Sequence, residues 1–346
     1  MNFSLLSEKK IIKSSIKNRL LFRLPNMPVP NMPVPDAIQT TEKGLLLKSK
    51  LFSMRYNEPV EKKMAIILVY FNKQCSLRLI NNLLFIKQML DLANIPYFIG
   101  EMSINRSPFL FAESSNIFHF QSPDNMFYKE NIINLMEPRL PPIYDKLCIM
   151  DADIIFDNSD WYNLLSSKLN DVNICQPFST AYWLNISYDD VIREKCSYLK
   201  KRIGGHEGFV WGFQRKWFNT YKFPMNCFIG SGDTLFVKAV FEKIILNQNQ
   251  YIYNSLVKYI SNLPSDISSD YLDINIYHLY HGTINNRQYS SKHIKFNNML
   301  TKLNITTSDE FIEYNANGIM RWKPNYSNLF NSFIQEYLIN RNDDSI

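Results

Sequence analysis

The residues with the clearest chemical potential are Asp151 and Asp153, separated by Ala152. They follow the apolar run Leu147-Cys-Ile-Met150 and precede Ile154-Ile-Phe156. Side chains on a strand alternate between faces, so at strand period both carboxylates point to the same side. A pair of carboxylates leaving a buried strand offers hard oxygen ligands to a divalent cation, directly or through water. Mn2+ or Mg2+ suits such ligands, and the cation then bridges diphosphate oxygens. Alone, Asp-x-Asp is also a common surface turn or helix cap, so the elements around it decide its weight.

Those elements alternate between strand and helix. Met64 to Phe71 is a continuous apolar run, the pattern of a fully buried central strand. Residues 76–93 carry Leu79, Leu83, Ile86 and Leu90 at helical spacing. Ile95 to Ile99, Lys146 to Met150 and Val172 to Cys175 read as further strands, and Phe127 to Met136 as a short helix. Tyr271 to Tyr280 reads as a late strand and Leu329 to Leu338 as a C-terminal helix. This order predicts an α/β fold, a central, mostly parallel sheet flanked by helices. Ligands of such sheets sit beyond the carboxyl ends of the strands, so the residues after Phe71 and Met150 are the place for chemistry. Tyr70-Phe71-Asn72 then offers an aromatic face for a nucleobase and an amide for its edge, with plain strand-end packing as the alternative. Arg78 either reaches a nucleotide or caps a helix face.

Four other segments fall in a telling order. Phe127-Tyr-Lys-Glu-Asn-Ile-Ile-Asn134 precedes the acidic strand; Gly204-Gly-His-Glu-Gly-Phe-Val-Trp-Gly-Phe213 and Phe228-Ile-Gly-Ser-Gly-Asp233 follow it; His278-Leu-Tyr-His-Gly282 comes last, with Arg287 beyond. Together with the acidic pair, they resemble the GT-A glycosyltransferases, whose fold is Rossmann-like. The likeness is strongest to inverting enzymes of the β-1,4-galactosyltransferase and polypeptide N-acetylgalactosaminyltransferase kind, over about residues 64–290. It rests on motif order and spacing. The resemblance implies a nucleotide-sugar donor, with UDP the expected nucleotide, and a glycan, protein or lipid-linked acceptor. It places Lys129 against the donor nucleotide and Trp211 against a sugar, with His206 and Glu207 near the acceptor. Asp233 becomes the catalytic base, and Arg287 with Tyr289 closes over the diphosphate. The metal ligands become Asp151, Asp153 and a late histidine. His281, followed by Gly282, matches the family's step better than His278, and residues three apart on one strand face opposite ways. Asp233 departs from the family in having Thr234, not a second acid, beside it. Its other reading is the N-cap of a helix from Thr234 to Ile244. A retaining transferase, or a non-catalytic scaffold that binds nucleotide-sugar or glycan, are the competing functions.

The bulk composition agrees. The chain has 346 residues, 46% hydrophobic and 20% charged, which suffices for a core without disulfide or metal staples. A net charge of +6 suits a phosphate-bearing ligand and is too weak and scattered to argue for nucleic acid. The five cysteines are dispersed, none at Cys-x-x-Cys spacing, as expected of free thiols in a reducing compartment. No apolar run has membrane-spanning length, and Leu5-Leu6 is followed at once by charged Glu8, Lys9 and Lys10, unlike a signal peptide. A soluble, cytoplasmic protein is expected. Residues 1–24 form a basic segment, either a solvated end or an amphipathic helix lying on a membrane or partner. Residues 25–60 read as a proline-rich linker, because Asn26-Met-Pro-Val-Pro30 is repeated as Asn31-Met-Pro-Val-Pro35. Residues 61–305 are the expected catalytic domain and 306–346 a helical extension.

Overall fold

The computed structural model describes residues 41–225, 227–243, 250–283, 285–288 and 291–345. The basic segment 1–24, the proline repeat and Tyr289 lie outside them. The main sheet has seven strands: β1 (Met64–Tyr70), β2 (Tyr97–Ile104), β3 (Ile117–Ser122), β4 (Lys146–Met150), β6 (Ile174–Gln176), β9 (Val210–Gln214) and β10 (Ser269–Tyr271). Their order is β10-β6-β9-β4-β1-β2-β3. All run one way except β9, which is antiparallel to both β4 and β6. Four strands build a smaller sheet: β5 (Ile154–Phe156), β7 (Thr180–Leu184), β8 (Val191–Cys196) and β11 (Asn275–His278), in the order β5-β11-β7-β8. A hairpin pairs β12 (Ile312–Tyr314) with β13 (Met320–Trp322).

The helices are α1 (Glu42–Ser53), α2 (Leu77–Leu92), α3 (Lys129–Met136), α4 (Trp161–Asp171), α5 (Arg215–Tyr221), α6 (Gly232–Val237), α7 (Gln250–Ser261), α8 (Ser291–Lys302) and α9 (Pro324–Arg341). Alternation along β9 shows how both sheet faces are used. Trp211 and Phe213 enter the large aromatic core with Phe236. Gly212 points the other way, where a Cβ would come within 2.7 Å of Leu165 on α4. Residues after 305 belong to the same core, through Phe311, Trp322, Phe330 and Ile334. None of the described helices is long and apolar enough to cross a membrane.

The structure departs from the sequence reading in three places. The segment read as a linker contains α1, capped by Thr41, whose hydroxyl accepts from the Gly44 amide, and anchored by fully buried Leu51. The late strand is two strands in different sheets. Asp157 accepts from both the backbone and the side-chain amide of Asn275, at 2.8 and 2.9 Å, and so starts β11 against β5. The helix after Phe228 starts at Gly232 with Ser231 as its cap, so Asp233 lies within the first turn and is not the cap.

Arg215 fixes the approach to β4. Its guanidinium binds the buried Glu137 carboxylate at 2.8 Å. It also donates to the carbonyl oxygens of Glu137, Leu140, Pro141 and Tyr144, which form the loop between α3 and β4. Removing it leaves a buried carboxylate and four carbonyls short of a donor. Arg215→Ala should cost about 3–5 kcal/mol, read as a lower denaturation midpoint. Arg215→Lys should recover little, because one ammonium cannot reproduce the fork.

Candidate functional site

The carboxyl ends of β1 and β4 open into one cavity of about 1030 Å³. Of the residues singled out in the sequence, Tyr70, Phe71, Asn72, Lys129, Asp151 and Ala152 line it. So do Asp153, Asp233, His278, His281 and Arg287. His206 and Glu207 also line it. They arrive there because β9 is antiparallel: its amino end lies beside the carboxyl end of β4, with the Asp151 amide donating to the Phe209 carbonyl at 2.9 Å.

Two of the singled-out residues lie elsewhere. Trp211 is a core residue, 2% exposed, stacked on Phe241, with its indole N–H donating to the Glu207 carbonyl. The flanking glycines suggested an open face; strand alternation turns the ring inward instead. Arg78 is 1% exposed, on the buried side of α2, with its guanidinium 5.2 Å from the centre of the Tyr280 ring. It packs behind the cavity wall.

The acidic pair divides between two clusters. β4 ends at Met150 and β5 begins at Ile154, so residues 151–153 form a turn and strand period does not govern them. Asp151 binds Lys129 Nζ at 2.7 Å. Asp153 Oδ2 instead lies 2.9 Å from His281 Nε2 and 3.7 Å from His278 Nε2. The two Nε2 atoms are 3.1 Å apart. Both histidines therefore reach the same point, which their spacing argued against for a continuous strand. β11 ends at His278, and Leu279 donates to the Asp153 carbonyl at 2.8 Å, so His281 sits past the strand.

This trio fits a metal. Its donor atoms all lie within 4.8 Å of one another. Asp153 Oδ1 is buried with no hydrogen-bond partner among the described residues, which is costly for a carboxylate unless something binds it. Burial pushes the His278 pKa down to about 3, leaving a neutral imidazole with a lone pair to give. Burial would raise the Asp153 pKa, but His278, His281 and Arg287 outweigh it and hold the carboxyl ionised. Two imidazoles and one carboxylate suit a transition metal better than Mg2+.

The second cluster centres on Lys129, at the start of α3. Its ammonium bridges Asp151 at 2.7 Å and Asp233 at 3.2 Å. Burial opposes its charge, but Asp151, Asp233 and Glu130 prevail and raise its pKa, keeping it protonated. Glycines let the acids crowd in: a Cβ on Gly208 would lie 2.8 Å from Asp233 Oδ2, and one on Gly232 would overlap the Glu130 carboxylate at 1.9 Å. Burial, with Asp233 and Asp153 adding repulsion against the pull of Lys129, lifts the Asp151 pKa to about 6.

Sequence reasoning passed over Glu130, Lys292 and Asp343. Glu130 adjoins Lys129, and a buried acid beside a site lysine was a usable signal. Lys292, on α8, lies 4% exposed among Phe127 and Tyr337, and burial lowers its pKa to about 7. Asp343 is in the tail after α9 and carried no motif.

No family model matches the chain, nor does any curated protein. Among solved structures it is similar to the catalytic domain of Drosophila β1,4-galactosyltransferase 7 with xylobiose. Identity there is 15%, covering 51% of this chain and 59% of that one, at a TM-score of 0.28. A mutant of that enzyme with manganese, UDP-Gal and xylobiose matches alike, at 15% identity over 50% and 58% of the chains and a TM-score of 0.28. A putative nucleotide-diphospho-sugar transferase from Desulfovibrio desulfuricans G20 is 11% identical over 70% of this chain and 98% of its own, at a TM-score of 0.31. The chain thus spans less than two thirds of the galactosyltransferase domain. Scores this low carry no argument about activity, so the function is argued from the site.

Glu130 gives the site a pH signature. Burial, reinforced by Asp233 and Asp151 and opposed by Lys129, raises its pKa to about 7. The folded protein then holds this proton more tightly than the unfolded chain, so stability falls as pH rises from about 4.5 to about 7. Glu130→Gln should raise the melting temperature at pH 8 and flatten that slope, recovering at most about 3 kcal/mol. Thermal melts between pH 4.5 and 8 check this.

Proposed function

We propose that the protein is a metal-dependent glycosyltransferase that takes a sugar from a nucleotide-sugar, with a UDP-sugar the first choice, and passes it to a hydroxyl acceptor with inversion. The observation that carries this reading is the pairing of two clusters in one cavity: a metal-suited Asp153–His278–His281 trio and, joined to it through Ala152, the Lys129–Asp151–Asp233 group. Each half of a glycosyl transfer needs one of them.

Departure of the nucleotide builds charge on diphosphate oxygens. Asp153, His278 and His281 would hold Mn2+, which supplies Lewis-acid neutralisation of that charge. Arg287 and Lys129 add fixed positive charge around it. Tyr70-Phe71-Asn72, at the end of β1, supports the nucleotide base. Asn72 is already oriented, donating to Tyr70 Oη at 2.9 Å and to the Ser76 carbonyl at 2.8 Å. Asp233 serves as base and accepts the proton of the acceptor hydroxyl. Lys129, shared with Asp151, holds the Asp233 carboxylate in place. Glu207, which accepts from the Thr234 hydroxyl, and His206 flank the space for the acceptor.

A panel of nucleotide-sugars incubated with the protein, with Mn2+ or chelator, tests the reading through slow release of nucleotide. Release from one donor should require the metal. It should fall by roughly two orders of magnitude or more in His281→Ala and Asp153→Ala. Asp233→Asn should keep metal-dependent donor binding and lose transfer to acceptor by about 10²–10⁴-fold. Absence of both release and any metal-dependent thermal shift would favour the non-catalytic scaffold. An unchanged anomeric configuration in the product, by NMR, would remove Asp233 from the role of base.

A further inference from the structure

The metal trio is supported from behind by a segment that carries no motif, the chain after α9. The argument rests on the metal reading above. Helix α9 ends at Arg341, and Asn342 adopts a left-handed conformation that turns the chain back toward the site. Two anchors then fix the tail. The Asp344 carboxylate accepts from Ser76 Oγ at 2.7 Å and from the backbone amides of Leu77 and Arg78 at 3.0 Å. Those amides open α2, where unpaired N–H groups and the helix dipole favour an anion. Ser345 accepts from Tyr280 Oη and from the Thr283 amide, which bracket His281 and Gly282. The tail lies so close to Gly282 that a Cβ there would come within 2.9 Å of the Asn342 carbonyl and 3.1 Å of Asp343 Cα.

Just before these anchors stands Asp343, with a side chain 10% exposed. Its Oδ1 lies 3.3 Å from His281 Nδ1 and accepts from Arg341 Nε at 2.8 Å. The opposite ring nitrogen, Nε2, is the one that faces Asp153 and His278. A histidine that gives Nε2 to a cation must carry its proton on Nδ1, and an acceptor there sets both tautomer and ring angle. The cation takes the place of any proton on Nε2, while the Nδ1 proton stays with its acceptor. Arg287 Nη2 stands 2.7 Å from both ring nitrogens and 3.2 Å from the His281 carbonyl. With the Nδ1 proton given to Asp343, the one lone pair of the ring is on Nε2, where a bound cation would take the place of Arg287.

We infer that Asp343 is a positioning residue for the metal centre, which accepts the Nδ1 proton of His281, and that the anchored C-terminal tail is the strap that delivers it. The tail touches the ligand's far side and the amino end of α2 at once. Loss of the tail would therefore weaken a site whose three ligands are all intact.

The test uses the full chain. Mn2+ affinity is read by electron paramagnetic resonance of the free ion. The ring tautomer is read from the 15N shifts of the five histidines in the metal-free protein, using His281→Ala for assignment. Asp343→Ala should bind Mn2+ about 10–100-fold more weakly, with a native circular dichroism spectrum. Its His281 should lose the pure Nδ1-protonated signature, an effect that mere loss of tail packing would not produce. Should Asp343→Ala fail to fold, Asp343→Leu, similar in shape and unable to accept a proton, is judged by the same two readouts. A folded variant that keeps Mn2+ affinity within about twofold and an unchanged His281 signature overturns the inference and leaves the metal reading standing. A wild-type protein that binds no Mn2+, alone or with UDP, overturns the metal reading and this inference with it.

Discussion

Charge balance at the carboxyl edge of β4 is the constraint that organises this molecule. Glu130, Asp151, Asp153 and Asp233 converge on one cavity, at the end of a sheet whose interior is apolar. Carboxylates so placed repel one another and lose hydration, and they stay only where positive charge or donors meet them. Lys129 answers Asp151 and Asp233; two histidines and Arg287 answer Asp153. Glu130 is left with the weakest compensation, and its raised pKa records that. Several features that look unrelated follow from this need. The glycines at 208 and 232 exist where acids press against backbone. The reversed strand β9 brings its amino end to the same edge.

The sheet and most of the cavity lining were legible in the sequence because they follow from short-range rules. Buried parallel strands read as unbroken apolar runs, and Met64–Tyr70 and Lys146–Met150 lie where such runs put them. The rule that ligands sit beyond strand ends then led to Asn72, Asp151 and Asp153 without further knowledge. What was not legible depended on where a strand stops. Asp151 and Asp153 share a side only if β4 continues, and His278 and His281 oppose each other only if β11 continues. Both strands stop three residues short of what those inferences need. Trp211 failed differently: it stays on the strand, so alternation decided its side against the hint from its glycine neighbours. Asp343 was beyond reach, since its meaning comes from a tail brought across the molecule to a histidine 62 positions away.

The division of the acidic pair changes what such a motif does. One turn of chain sends Asp151 to a lysine and Asp153 to two imidazoles, so on the proposed function neighbours in sequence would serve opposite ends of one reaction. On the proposed function, a dication at Asp153 and a diphosphate beside it would nearly cancel, and the cavity would take both with little change in net charge. Lys129 cannot be cancelled this way, because Asp151 and Asp233 already hold it. Asp151 thus acts through the lysine: its charge keeps Lys129 protonated, and the lysine in turn keeps Asp233 aimed into the cavity. On this argument the two carboxylates are not interchangeable ligands. Replacing Asp153 would remove a ligand of the proposed metal site, whereas replacing Asp151 leaves Lys129 to pair with Asp233 alone and so changes how the proposed base is held. A defect at Asp151 should therefore fall on proton transfer from the acceptor more than on capture of the donor.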